Sequence, residues 1–149
     1  MSFYQRYKSP PMPAVIRAEG TSGILVGRMI EVDIDLVSEL LNTEGMLLHR
    51  KALADIDLKV RELFDGKLMI DNSDPHADDI MKLKRIGAAD PVLFDHGTSG
   101  SQLSFYVGRM ADQWLQAQSW NPDADDPAHV KVTLCTVRLG RDEFFYDLV

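Results

Sequence analysis

The stretch "KLMIDNSDPHADDIMKLKRIGAADPVLFDHGTSGS", Lys67–Ser101, decides the fold. Lys67–Ile70 is a short apolar run and Pro91–Phe94 is another, each with the length and bulk of a buried strand. Between them Asp74 is placed to cap a helix. Pro75 suits the first helical position, where a missing N–H costs nothing. Asp78 and Asp79 fall near the positive end of that helix, Lys82, Lys84 and Arg85 near its negative end, and Gly87 supplies a stop. Strand, helix and strand within about 30 residues is a βαβ unit, which requires two parallel strands. The stretch therefore predicts an α/β fold, with mixed α+β as its variant.

Working outward, Val15–Ala18 reads as a short strand and Gly20–Gly23 as a turn. Ile24, Val26, Ile30, Val32 and Ile34 then alternate with polar residues, the period of a half-buried strand. Leu36–Leu41 reads as a short helical piece, and Met46, Leu53, Ile56, Val60 and Phe64 recur at helical spacing. Beyond the βαβ unit, Leu103, Tyr106, Val107, Met110 and Trp114 mark a helix running to Trp120. Val130–Thr136 and Phe144–Leu148, joined through Gly140, read as a C-terminal hairpin. The expectation is about five strands and four helices. Residues 1–13, rich in proline, read as an N-terminal arm without regular structure, because proline removes donors and fixes φ. Residues 14–149 read as one α/β domain.

Two stretches share letters: "GTSGILVGRM" from Gly20 and "GTSGSQLSFYVGRM" from Gly97. Two residues separate GTSG from VGRM in the first and six in the second. The first VGRM falls in an alternating strand and the second in a helical pattern. A true repeat keeps its period and its structure, so this is coincidence.

Composition narrows the function. The chain has 149 residues, 45% hydrophobic and 26% charged, with a net charge of −7. That charge argues against broad contact with a nucleic-acid backbone, which needs basic residues to displace counterions. No apolar run reaches the roughly 18 residues of a membrane span, and the N-terminus lacks the apolar core of a secretory signal. Together with the single cysteine, Cys135, set in an apparent strand, this points to a reducing, cytoplasmic setting.

One constellation carries chemistry. The two proposed parallel strands end at Asp71 and Asp95, and ligands of parallel sheets bind beyond the carboxyl ends of strands. Asp71, Asp95 and His96 would face one crevice. Asp74 and His76 could complete a divalent-metal site with Asp71 and Asp95. The Gly97-Thr98-Ser99-Gly100 turn opens directly into a helix and would offer N–H groups to an anion. None of this is a signature: the Walker loop, the nucleophile elbow and the His-Glu-x-x-His spacing are all missing. The same residues also serve plainly as strand-end turns and helix caps. His49 reads as a core or boundary histidine, and Asp123, Asp125, Asp126 and His129 as a solvated linker.

Weighed together, these features favour a small acidic protein-binding module of inhibitor, immunity or adaptor type, not an enzyme and without a cofactor. Its partner would be another, basic protein, with a second copy of the chain as a further option. Tyr4, Arg6, Tyr7, Trp114 and Trp120 are the candidate interface residues. The alternative is a hydrolase-type enzyme that binds a metal or phosphate at the Asp71/Asp95/His96 edge and uses a divalent metal ion.

Overall fold

The computed structural model describes residues 2–17, 24–41, 45–95, 97–117 and 130–148. It is a mixed α/β fold with a central sheet and surrounding helices. Among the described residues there are seven strands and three helices: β1 (Phe3–Lys8), β2 (Met12–Arg17), β3 (Leu25–Ser38), α1 (Arg50–Phe64), β4 (Leu68–Asp71), α2 (Ala77–Arg85), β5 (Pro91–Phe94), α3 (Gly100–Ala117), β6 (Lys131–Leu139) and β7 (Asp142–Asp147). The strands form one sheet in the order β5-β4-β2-β3-β6-β7, with β1 also paired to β3. The predicted βαβ unit is present: β4 and β5 run parallel, Leu68 opposite Pro91 and Asp71 opposite Phe94. The C-terminal hairpin is present as β6 and β7.

The N-terminal segment departs from the expectation of an irregular arm. β1 and β2 both run antiparallel to β3, β1 along Asp33–Ser38 and β2 along Leu25–Ile30. They are one strand interrupted by a bulge, in which residues 9–11 face only residues 31 and 32. The bulge is where the prolines belong, because Pro10 and Pro11 have no N–H to give a ladder. Ser9 keeps the pairing closed: its N–H donates to the Val32 carbonyl at 2.8 Å, and its hydroxyl accepts from the Val32 N–H at 2.8 Å. The extra residue reverses the alternation, so Tyr7 of β1 but Met12, Ala14 and Ile16 of β2 face the core. The helical piece expected over Leu36–Leu41 is also corrected. β3 continues to Ser38, because Leu36 and Val37 are paired on both sides, by β1 and by β6.

α1 and α3 cover one face of the sheet. Ile56, Val60 and Phe64 of α1 and Leu103, Val107 and Leu115 of α3 are fully buried there with Ile30, Val32 and Ile34. α3 approaches β6 and β7 closely enough that a Cβ on Gly100 would lie 2.0 Å from the Phe144 ring. α2 lies on the other face. Met69 of β4 joins the main core, whereas Leu68 and Ile70 pack with Ala77, Ile80 and Ala89 in a small core of their own. No described helix is long and apolar enough to cross a membrane. The first VGRM lies in β3 and the second in α3, two different structures.

Three carboxylates are held ionised by contacts made only in the fold. The His76 N–H and the Arg17 guanidinium, at 2.5 Å, keep Asp74 below its ordinary value of 3.8. The Lys67 ammonium does the same for Asp90. At Asp57 burial pulls upward, but hydrogen bonds from Tyr7 at 2.6 Å and Arg61 at 2.7 Å outweigh it. In the unfolded chain these groups take protons near pH 3.8, whereas in the fold they do so lower. Their contribution is therefore complete above that value and is lost as pH falls through the folded values. Urea midpoints measured from pH 6 to pH 2.5 are expected to fall steeply below about pH 4. Arg17→Met, which removes the partner of Asp74, should flatten that fall.

Candidate functional site

The carboxyl ends of β4 and β5 meet the N-terminus of α3. The Phe94 carbonyl ties them together, accepting from Asn72 N–H at 3.0 Å and Gly97 N–H at 3.3 Å. Asp71, the last residue of β4, is 8% exposed. Its Oδ1 accepts from the backbone N–H of Ser73 at 2.9 Å and from the Ser73 hydroxyl at 2.8 Å, an Asx turn that ends the strand. Oδ2 accepts no hydrogen bond among the described residues. Asp95 is exposed, and His96 lies outside the described residues.

The turn into α3 is built as a capping box. The Ser99 hydroxyl accepts from Gln102 N–H at 3.3 Å, and Gln102 Oε1 accepts from Ser99 N–H at 3.2 Å. Gly97 takes φ of 93° and leaves no room for a Cβ, since Gln102 Oε1 would be 2.2 Å away. The Ser99 N–H is thus already satisfied, and the turn offers fewer donors to an anion than its sequence suggests. The helix-cap reading of these residues therefore holds at Ser99, and the Ser-x-x-Gln spacing that completes the cap is legible in the chain. Gly100 is buried against Phe144. Thr98 stands apart: it is 7% exposed, and its hydroxyl has no hydrogen-bond partner among the described residues.

The residues of the metal alternative do not converge. Asp74 uses one oxygen for the His76 N–H at 2.8 Å and the other for Arg17, and His76 is exposed at the start of α2. Among the described residues no three His, Cys, Asp or Glu side chains could hold one ion. Cys135 is buried, and burial, with Asp33 and Asp35 adding to it, pushes its thiol up to about 12, far from a reactive thiolate.

The candidate interface residues divide. Tyr4 is 76% exposed, but Arg6 is spent on Asp35, with contacts of 2.6 and 3.0 Å. Tyr7 is buried, its hydroxyl donating to Asp57, and burial followed by that carboxylate raises its pKa. Trp114 packs against the core, under Lys59 at 5.8 Å. Trp120 and the Asp123, Asp125, Asp126 and His129 loop lie outside the described residues. His49, expected in the core or at its boundary, is exposed and caps α1, its Nδ1 accepting from Lys51 N–H at 3.1 Å.

This arrangement, an antiparallel hairpin sheet carrying two helices on one face and a βαβ insertion at one edge, has solved counterparts. An uncharacterised protein from Wolinella succinogenes superposes with a TM-score of 0.79 at 12% identity, over 100% of this chain and 99% of that one. The 6-pyruvoyltetrahydropterin synthase of Plasmodium vivax superposes with a TM-score of 0.65 at 14% identity, over 99% of each chain. That of Plasmodium falciparum gives 0.62 at 12% identity, over 97% of this chain and 96% of that one. No protein-family model matches the sequence, and no curated protein matches it.

The shared fold, spanning the whole of a synthase, overturns the expectation of a non-catalytic inhibitor or adaptor module. The expectation that no cofactor is needed, which rested on that module, falls with it. The described residues do not form a cradle for such an ion, and no step is assigned to one.

Proposed function

We propose that the chain is an enzyme acting on a pterin-like heterocycle bound where β4, β5 and α3 converge. The reading rests on the agreement of its fold, end to end, with 6-pyruvoyltetrahydropterin synthases. The chemistry of the strand-end site supports it. A pterin ring presents adjacent N–H donors on one edge and ring acceptors elsewhere. Asp71 Oδ2 is a buried acceptor with capacity to spare, and the Thr98 hydroxyl both donates and accepts. A buried polar atom without a partner costs stability unless a ligand satisfies it, and among the described residues Asp71 Oδ2 and the Thr98 hydroxyl are two such atoms. Asp71 holds the donor edge of the ring and Thr98 an acceptor beside it. The positive end of α3 favours any anionic substituent that reaches it.

The test is a fluorescence titration with oxidised and reduced pterins, using wild type, Asp71→Asn and Thr98→Val, with melting followed in parallel. Wild type is expected to bind. Each substitution should weaken binding by about tenfold or more, the loss of one hydrogen bond to a buried site. Melting should change little, because among the described residues neither group has its full set of partners. Absence of pterin binding by wild type, or unchanged binding by both variants, would overturn the assignment.

A further inference from the structure

A concave site lies away from the strand ends. Pro13 and Val15 of β2, Leu25 and Met29 of β3 and Leu68 of β4 line a groove of about 670 Å³, beside the Ala89-Asp90 connection after α2. That volume is within the roughly 300–1,000 Å³ of small-molecule sites. The sheet register explains its shape. Val15 stands opposite Gly27 on one side and Leu68 on the other, so one row across three strands reads glycine, valine, leucine. Gly27 has no side chain to fill its place, and a Cβ added there would meet nothing within 4 Å. Around this gap Val15, Leu25 and Met29 remain 36%, 54% and 49% exposed, although each is a large apolar side chain in a strand.

The rim carries charge of one uncompensated sign. Lys67 is neutralised by Asp90. Arg28 has no carboxylate partner among the described residues, and its guanidinium reaches only the Gly27 carbonyl, at 3.5 Å. Among the described residues Arg28 is thus the one cation lining the groove that no carboxylate neutralises.

We propose that this groove binds a small amphiphilic carboxylate, its ring or short acyl chain lying in the gap over Gly27 and its carboxylate on Arg28. Apolar burial supplies the attraction, and the planar guanidinium fixes the orientation, because it matches a carboxylate with two parallel hydrogen bonds. The site is independent of the strand-end assignment.

The test uses 1-anilinonaphthalene-8-sulfonate, a fluorescent aromatic anion, displaced by decanoate or decylamine. Wild type is expected to enhance the probe's fluorescence, and decanoate, but not decylamine, should reverse it. Gly27→Val places a side chain in the empty gap at a strand position that suits valine. It should cut probe binding about tenfold or more while melting at or above the wild-type temperature. Arg28→Gln should weaken decanoate several-fold and abolish the preference over decylamine. Four results would overturn the proposal: no enhancement by wild type, equal displacement by the amine, unchanged binding by Gly27→Val, or a wild-type dimer that Gly27→Val dissociates. The last would assign the groove to a second copy of the chain.

Discussion

Arg138→Met is expected to destabilise the protein by about 3 kcal/mol. Asp33 is a carboxylate in the central strand, only 2% exposed, and Arg138 Nη2 stands 2.6 Å from its Oδ2. The same guanidinium reaches Glu143 at 2.7 Å and Glu31 at 3.7 Å. Removing one member of a buried pair leaves the other charged and unsolvated, a change that costs about 3–5 kcal/mol. The lower end applies here, because Arg138 is 24% exposed and Arg6 stays within 3.8 Å of Asp33. For a chain of this size each kcal/mol moves the midpoint by about 2–4 °C, so the melting temperature should fall by roughly 6–12 °C. Asp33→Val combined with Arg138→Met should recover most of the loss, since an apolar pair needs no compensation. Thermal melts of wild type and the two variants decide it. A single variant melting like wild type would mean that Arg6 alone neutralises Asp33.

Phe94→Ala is the second large effect, and it reaches the proposed site. Phe94 is 1% exposed, stacked on Phe64 with centroids 6.0 Å apart and edge-on to Tyr106 at 5.5 Å. Truncating such a ring costs about 3–5 kcal/mol in lost burial and cavity. Its backbone carbonyl also holds the Asn72 and Gly97 N–H groups, so the residue anchors both turns that present Asp71 and Thr98. Denaturant unfolding should show the full loss for alanine and about 1–2 kcal/mol for Phe94→Leu, which refills most of the volume. If the turns move with the ring, Phe94→Leu should also weaken pterin binding while leaving decanoate binding unaltered.

The parts of the fold that were legible in the sequence are those specified within a few residues. The βαβ unit declared itself through Asp74, the acidic and basic ends of α2, and Gly87. The C-terminal hairpin declared itself through Gly140 between two alternating runs. What the sequence hid depends on pairing across distance. The prolines at 10 and 11 argued against a strand, whereas a bulge absorbs them and Ser9 Oγ stands in for a backbone acceptor. The extension of β3 to Ser38 rests on partners from both β1 and β6, not on its own periodicity. At the site, Asp71 and Thr98 were named from sequence, but the roles were blurred. Ser99 admits both an anion donor and a helix cap in the sequence, and Gln102, three residues on, decides for the cap. The likeness to the solved synthases leaves no motif in the chain for a related reason. At 12–14% identity to the solved synthases, what persists is the pattern of burial and pairing, which many residue combinations satisfy.

The small core under α2 gives the molecule an uneven hold on itself. Ala77, Ile80 and Ala89 close over Leu68 and Ile70, and none of the five belongs to the main core. The helix has nine residues, and only Ala77 among them is fully buried. Detaching it exposes little apolar area, while β4 remains anchored through Met69 and its pairing with β2. The free energy needed to open this flap is therefore expected to be a fraction of that needed to unfold the sheet, and hydrogen exchange should find its amides less protected than those of β3. The edge of the molecule beside Asp71 breathes while the floor beneath it stays closed.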